Sequence, residues 1–238
     1  MSKTKEKEPL TFEHEKTSFP NAHVVCGTDE AGRGPLAGPV YAAAVILDTE
    51  NTDIELLKKL DDSKKLSEKK RDELEVLVKQ NALSYCVAYS TVKEIEETDI
   101  LSASLHAMRK AIDGLFLDRD TPSHILSDLD IDETGGKEIK PDAVIVDGNQ
   151  SRDFQLPAKA VIGGDGKSFS IAAASILAKV ARDRYCYEVL DKEYPEYNFA
   201  KHKGYGTKAH YEAVDAHGLC PEHRKSFFKK YYDAKQKT

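Results

Sequence analysis

The chain has 238 residues, 32% of them charged, and a formal net charge of -6; this length suits one large α/β domain with a substantial core. No apolar run approaches the roughly 20 residues that a membrane-crossing helix requires, and the polar stretch MSKTKEKEPLTFEHEKTSFP lacks a signal-peptide core, so a soluble, cytoplasmic protein is expected. The charge is uneven, with 16 Lys+Arg against 11 Asp+Glu in residues 151–238 and 19 against 30 before them, which permits a basic, nucleic acid-facing surface on an acidic protein.

Residues 1–20, polar and Lys/Glu-rich, read as a flexible N-terminal arm, and residues 21–238 as a single domain. HVVCGTDE is short, apolar and β-branched, which predicts a first strand; GPVYAAAVIL (38–47) predicts its hairpin partner across a Gly/Pro turn. DIELLKKL and SEKKRDELEVLVKQ carry helical spacing, the second with Ser67 as N-cap. ALSYCVAYST (82–91) predicts a third strand, and residues 99–117 a helix with Ile100, Leu101, Leu105, Met108, Ile112 and Leu115 on one face. Residues 118–140 are acidic, irregular and rich in turn formers, and read as a surface insertion. Asp128, Asp130, Asp132, Glu133 and Glu138 there resemble a calcium loop only loosely, because Glu133 stands where the EF-hand pattern has glycine. DAVIVDGNQ and KAVIGGDGKSFS predict two further strands, each followed by an Asp-Gly pair, and residues 170–190 predict a long helix capped by Ser168 or Ser170. Cys26, Cys86, Cys186 and Cys220 form no CxxC or zinc-type spacing and read as buried thiols.

Three apolar segments thus end in acids: Asp29 with Glu30, Asp147, and Asp165. Adjacent strand ends in an α/β sheet would bring these carboxylates into one crevice, where their mutual repulsion calls for a cation. Oxygen donors without His or Cys select Mg²⁺ or Mn²⁺, and such ions serve phosphodiester hydrolysis. Asp29 and Glu30, as consecutive strand residues, should point to opposite faces, although the Ala31-Gly32 step allows a bend. GRGPLAGP adds a loop of bare backbone with Arg33 between two glycines, and it matches neither a Walker nor a dinucleotide-binding loop. Ser175, Lys179 and Arg182 are spaced to share a helix face that could hold successive phosphates, and Lys64 is a further candidate. Tyr205, between Lys203 and Lys208, suits base or sugar stacking on a basic strip.

The ordered motifs GTDEAGRGPLAGPV, DDSKKLS, VDGN, IGGDGKSFSIAAASILAKVARDR, HKGYGTKAHYEA and HRKSF, spanning residues 24–228, resemble those of type 2 ribonucleases H, specifically bacterial ribonuclease HII. The resemblance implies a ribonuclease H-like fold, a mixed five-stranded sheet flanked by helices with a helical C-terminal region. It implies cleavage of RNA in RNA-DNA hybrids and incision 5′ of single ribonucleotides in duplex DNA, leaving 3′-hydroxyl and 5′-phosphate ends, with Mg²⁺ or Mn²⁺ as cofactor. By motif position, Asp29, Glu30, Asp147 and Asp165 match the catalytic, metal-binding acids; Gly32, Arg33 and Gly34 match the loop that senses the ribose 2′-hydroxyl; Tyr205 matches the sugar-stacking tyrosine. The family default is a monomer, and no sliding-clamp box of the Q-x-x-[aliphatic]-x-x-F-F type precedes Phe227 and Phe228. Rival readings are a junction resolvase on a related sheet, a catalytically silent hybrid-binding module, and a small metal-dependent phosphatase.

Overall fold

The computed structural model describes residues 9–60 and 67–235. Six strands form one sheet in the order β4-β3-β2-β1-β5-β6: β1 (Val25–Ala31), β2 (Val40–Leu47), β3 (Ala82–Ser90), β4 (Ile131–Gly136), β5 (Ala143–Asp147) and β6 (Ala158–Val161). The first four pair antiparallel, whereas β5 joins β1, and β6 joins β5, in parallel. The expected mixed sheet is present with six strands rather than five. Around it run α1 (Glu13–Thr17), α2 (Ile54–Leu57), α3 (Glu68–Asn81), α4 (Val92–Glu97), α5 (Ile100–Gly114), α6 (Ser123–Asp128) and α7 (Phe169–Tyr185), followed by shorter C-terminal helices.

Each of the longer helices has a local cause. Ser67 accepts from the Lys70 amide at the start of α3, and Asp99 accepts from the Leu101 and Ser102 amides to open α5. Ser168 caps α7 through the Ile171 amide. Helices α5 and α7 cover opposite faces of the central strands, and β2 is buried along its whole length. Its alternation divides the core: Tyr41, Ala43 and Val45 pack with α7, Ala42, Ala44 and Ile46 with α5. The small alanines let helices press on the sheet from both sides.

At Gly27 in β1 the backbone of α7 comes close, since a Cβ there would lie 2.5 Å from the Ile171 nitrogen. That contact seats α7 across β1 just before the acids. Beyond α7 the C-terminal segments form a separate cluster in which Phe199, Val214, Cys220 and Phe228 pack on Leu36 and Ala37 of the loop between β1 and β2.

Two expectations are corrected. Residues 118–140 are not an irregular insertion: they contain α6 and edge strand β4, and three of the five acids named above have structural partners, Asp130 on Lys110, Glu133 on Lys79 and Glu138 on the Arg119 amide. Residues 9–20 are not a loose arm either. Leu10 and Phe12 are buried, and Glu15 accepts from both the Ser168 hydroxyl and the Ser170 amide, tying α1 to the start of α7. All four cysteines are buried and free. No helix among the described residues is long and apolar enough to cross a membrane.

Candidate active site at the strand ends

Asp29 lies on the α7 side of β1, as Gly27 does, and its carboxylate accepts from the Ser175 hydroxyl of that helix and from the Glu30 amide (2.7 Å). Burial pushes its carboxyl well above the usual range, with the Glu30 and Asp147 charges adding to the effect. Burial also raises Glu30, opposed by Arg33, whose Nη1 lies 3.2 Å from Glu30 Oε1. Asp147, at the end of neighbouring β5, accepts from the amides of Gly164 (2.6 Å) and Asp165 (3.3 Å). The turn that carries buried Asp165 is therefore stitched to Asp147 by backbone. Topology and register bring the predicted acids to one end of the sheet, and Asp29, Glu30 and Asp147 are close enough to perturb one another.

The donor chemistry fits a hard divalent cation: carboxylate oxygens only, in surroundings where a compensating positive charge would relieve the repulsion on Asp29. Glu30 and Asp147 each commit an oxygen to a protein partner, and among the described residues no three acids converge on a single ligand point.

Beside the acids opens a cleft lined by Glu30, Ala31, Gly32, Arg71, Ser175, Ile176, Lys179 and Tyr205. Two loops form its rim. Gly32 adopts φ +102°, and a Cβ on it would lie 2.1 Å from Arg182 Nε, so conformation and space both demand glycine. The loop that follows is sewn to the loop carrying Tyr205, with the Leu36 amide donating to the Gly204 carbonyl (2.8 Å) and Arg182 Nη2 to the carbonyls of Ala37 and Lys203. Gly34 and Tyr205 consequently face one another, 3.7 Å from a Cβ position to the ring. Tyr205 remains 44% exposed, its ring 5.9 Å from the Arg182 guanidinium.

Arg224, a residue to which the sequence assigned no role, holds this loop from beneath. Its guanidinium donates to the carbonyls of Gly32, Arg33, Pro35, Gly38 and Pro39 and is fully buried. Burial, then the Arg182 charge, push it down to about 9, so it stays a cation at neutral pH. The only sequence signal was its place in HRKSF.

Arg182 itself is a correction. It shares the turn periodicity of Ser175 and Lys179 but is 1% exposed, roofed by the two loops, and is not a surface phosphate contact. Lys179 stays partly exposed in the cleft, ion-paired to Asp183, while Ser175 is engaged with Asp29. Lys64 lies outside the described residues.

The family model described as Ribonuclease HII matches residues 26–233. Among curated proteins, Ribonuclease HII of Idiomarina loihiensis is 48% identical over 86% of this chain and 95% of its own, and that of Albidiferax ferrireducens 48% identical over 87% and 86%. Among solved structures, the ribonuclease H2 of Pyrococcus horikoshii superposes with a TM-score of 0.58 at 26% identity, covering 85% of this chain and 93% of its own. The fold, with its strand-end acids, is that of a ribonuclease H-class hydrolase, a divalent-metal-dependent endonuclease acting on phosphodiester bonds of nucleic acid. Within that class, the chain belongs to the ribonuclease HII family.

Proposed function

We propose that this enzyme cleaves RNA in RNA-DNA hybrids and incises duplex DNA 5′ of a single embedded ribonucleotide, leaving 3′-hydroxyl and 5′-phosphate ends, as a monomeric, cytoplasmic protein with one catalytic domain. The observation that carries the reading is the joining of the Gly32-Arg33-Gly34 loop, Tyr205 and Glu30 around one cleft beside the acid cluster. A ribose-deoxyribose step differs from plain DNA by one hydroxyl, and a glycine-bounded backbone rim opposite an exposed aromatic ring suits that discrimination.

In this reading Asp29, Glu30, Asp147 and Asp165 hold Mg²⁺ or Mn²⁺, which when bound activates the attacking water and neutralises charge on the phosphate. Ser175 orients Asp29 by hydrogen bonding. Arg33 restrains Glu30 until substrate enters. Lys179 offers charge to the backbone phosphate, and Tyr205 stacks on the sugar of the adjoining deoxynucleotide. No sliding-clamp partner is proposed. The solved Archaeoglobus fulgidus protein is a complex of PCNA with RNase HII, but the corresponding C-terminal box is not found in this sequence.

The test is cleavage of a labelled duplex with one ribonucleotide, with Mg²⁺, with Mn²⁺ and with EDTA, beside an all-DNA control. A single cut 5′ of the ribonucleotide, abolished by EDTA, is expected; cutting of the control, or of long hybrids only, would overturn the single-ribonucleotide reading.

A further inference from the structure

Three histidines lie buried beneath the Tyr205 loop: His202, His210 and His223, the last two at 0% and 1% exposure. Their hydrogen bonds determine their tautomers without reference to pH. The Cys220 backbone amide donates to His223 Nδ1 at 2.9 Å, and an amide can only donate, so Nδ1 carries no proton and Nε2 must. His223 Nε2 lies 3.0 Å from His210 Nε2 and donates to it. His210 is then protonated at Nδ1, which lies 3.0 Å from the Tyr205 carbonyl and donates there. By the same logic the Gly204 amide donates to His202 Nδ1, which leaves His202 Nε2 to donate to the Tyr197 carbonyl.

We propose that the one-way chain from Cys220 N–H through His223 and His210 to the Tyr205 carbonyl sets the position of Tyr205, making His210 and His223 positioning residues for recognition of the deoxynucleotide sugar. The proposal rests on the reading of Tyr205 as the residue that stacks on that sugar. A neutral pair in this arrangement satisfies every ring nitrogen, whereas an added proton on either ring would set two donors against each other. Burial pushes both imidazoles down to about 4, in keeping with a pair that stays neutral. The Tyr205 carbonyl also accepts from the Thr207 amide, and the Tyr205 amide donates to the His202 carbonyl. The residue is thus fixed through its backbone while its ring stays exposed. The same short segment places Arg224 under the opposite rim, so His223 and Arg224, adjacent in sequence, each anchor one side of the cleft.

Two substitutions at one position separate positioning from packing. In His210→Gln the side-chain oxygen can still accept from His223, but the donor to Tyr205 is removed; in His210→Asn the amide can still donate to Tyr205, but the bond to His223 is removed. Each deletes one hydrogen bond, and Asn, one methylene shorter than Gln, removes the more volume at this buried site, so a purely structural role predicts effects on melting and on kinetics at least as large in His210→Asn as in His210→Gln. Positioning predicts that KM for a duplex with one ribonucleotide rises about fivefold in His210→Gln, which loses the donor to Tyr205, and about twofold in His210→Asn, which keeps that donor but loses its alignment by His223, with kcat within about twofold in both. Equal KM in the two variants overturns the proposal. Nitrogen-15 spectra of the wild-type protein supply a readout that needs no substrate: Nε2–H is expected on His223 and Nδ1–H on His210, and the opposite tautomers overturn the chain. A wild-type enzyme that shows these tautomers but cuts no ribonucleotide-containing duplex would instead count against the function assigned above.

Discussion

At the ends of β1 and β5 the charges are under-compensated: Asp29 is buried, raised far from its ordinary ionisation and crowded by Glu30 and Asp147. Beneath the two rim loops the opposite holds, because buried Arg224 donates to five backbone carbonyls and the three histidines form closed neutral chains. Both regions bury polar groups, yet in one the partners leave the mutual repulsion of the carboxylates uncompensated, whereas in the other Arg224 and the histidines are matched by main chain and by one another, although Arg182 beside them keeps Nε and Nη1 without a hydrogen-bond partner. A satisfied network rigidifies, while an unsatisfied cluster holds electrostatic free energy that a ligand can relieve. The contrast assigns binding and chemistry to the first region and the geometry of the cleft to the second, and substitutions in each should therefore move different observables.

The largest effect is expected at Asp29. Asp29→Asn preserves shape but removes a ligand charge, and turnover should fall by about a thousandfold with cation-free duplex binding retained. The same change should stabilise the fold. A carboxyl raised on folding favours folding below the unfolded value near 4 and loses that contribution as pH rises through the folded value. The wild-type protein takes on a penalty as the carboxyl ionises in the folded state, and the amide does not. We expect the substitution to raise the melting temperature at neutral pH, with the gap closing as pH is lowered towards 4. Near-wild-type turnover, or an equally wide gap at pH 4, would mean that Asp29 is an ordinary turn residue.

Arg224→Met tests the satisfied side. It strands carbonyls of the loop after Gly32, at a cost of about 3 kcal/mol, or roughly 10 °C. A fall under about 2 °C in a calorimetric melt would show that the loop does not depend on Arg224. Gly32→Ala should act on the same loop less severely. The positive φ and the approach of Arg182 Nε impose strain of about 1–3 kcal/mol, read as a lower melting temperature together with a raised KM; unchanged kinetics would detach the loop from substrate binding.

The same contrast explains what could be read from the sequence. The acids were legible because each ends or closely follows a short apolar strand, and two of the capped helices because Ser67 and Ser168 sit where they begin. Strand β4 was hidden by its composition. Its Glu133 pairs with Lys79, distant in sequence, Asp130 just before it pairs with Lys110, and Gly135 is covered by the Tyr85 ring, as charged edge strands allow. The arm was misread because Glu15, polar in sequence, is buried as an acceptor at the start of α7. Helical period placed Arg182 on the correct face of α7 but could not reveal depth, because its roof comes from residues 37 and 203. Arg224 and the histidine chain show in the sequence only as members of HKGYGTKAHYEA and HRKSF, since, the His223–His210 bond apart, their partners are main-chain atoms brought together by the fold.

Tyr205 lies where the two regions meet: its backbone belongs to the satisfied network and its ring to the cleft. Tyr205→Ala should therefore separate the two observables most cleanly. The ring is 44% exposed, so the melting temperature should change little, within about 0.5 kcal/mol. Affinity for the ribonucleotide junction should weaken by about 1–3 kcal/mol, roughly five- to 150-fold, because the stacking surface is gone. Phe at this position should restore binding, because stacking requires the ring and not the hydroxyl. A drop in melting temperature that matches the fall in affinity would make Tyr205 part of the core beneath the loop, and failure of Phe to restore binding would move recognition from the ring face to the hydroxyl.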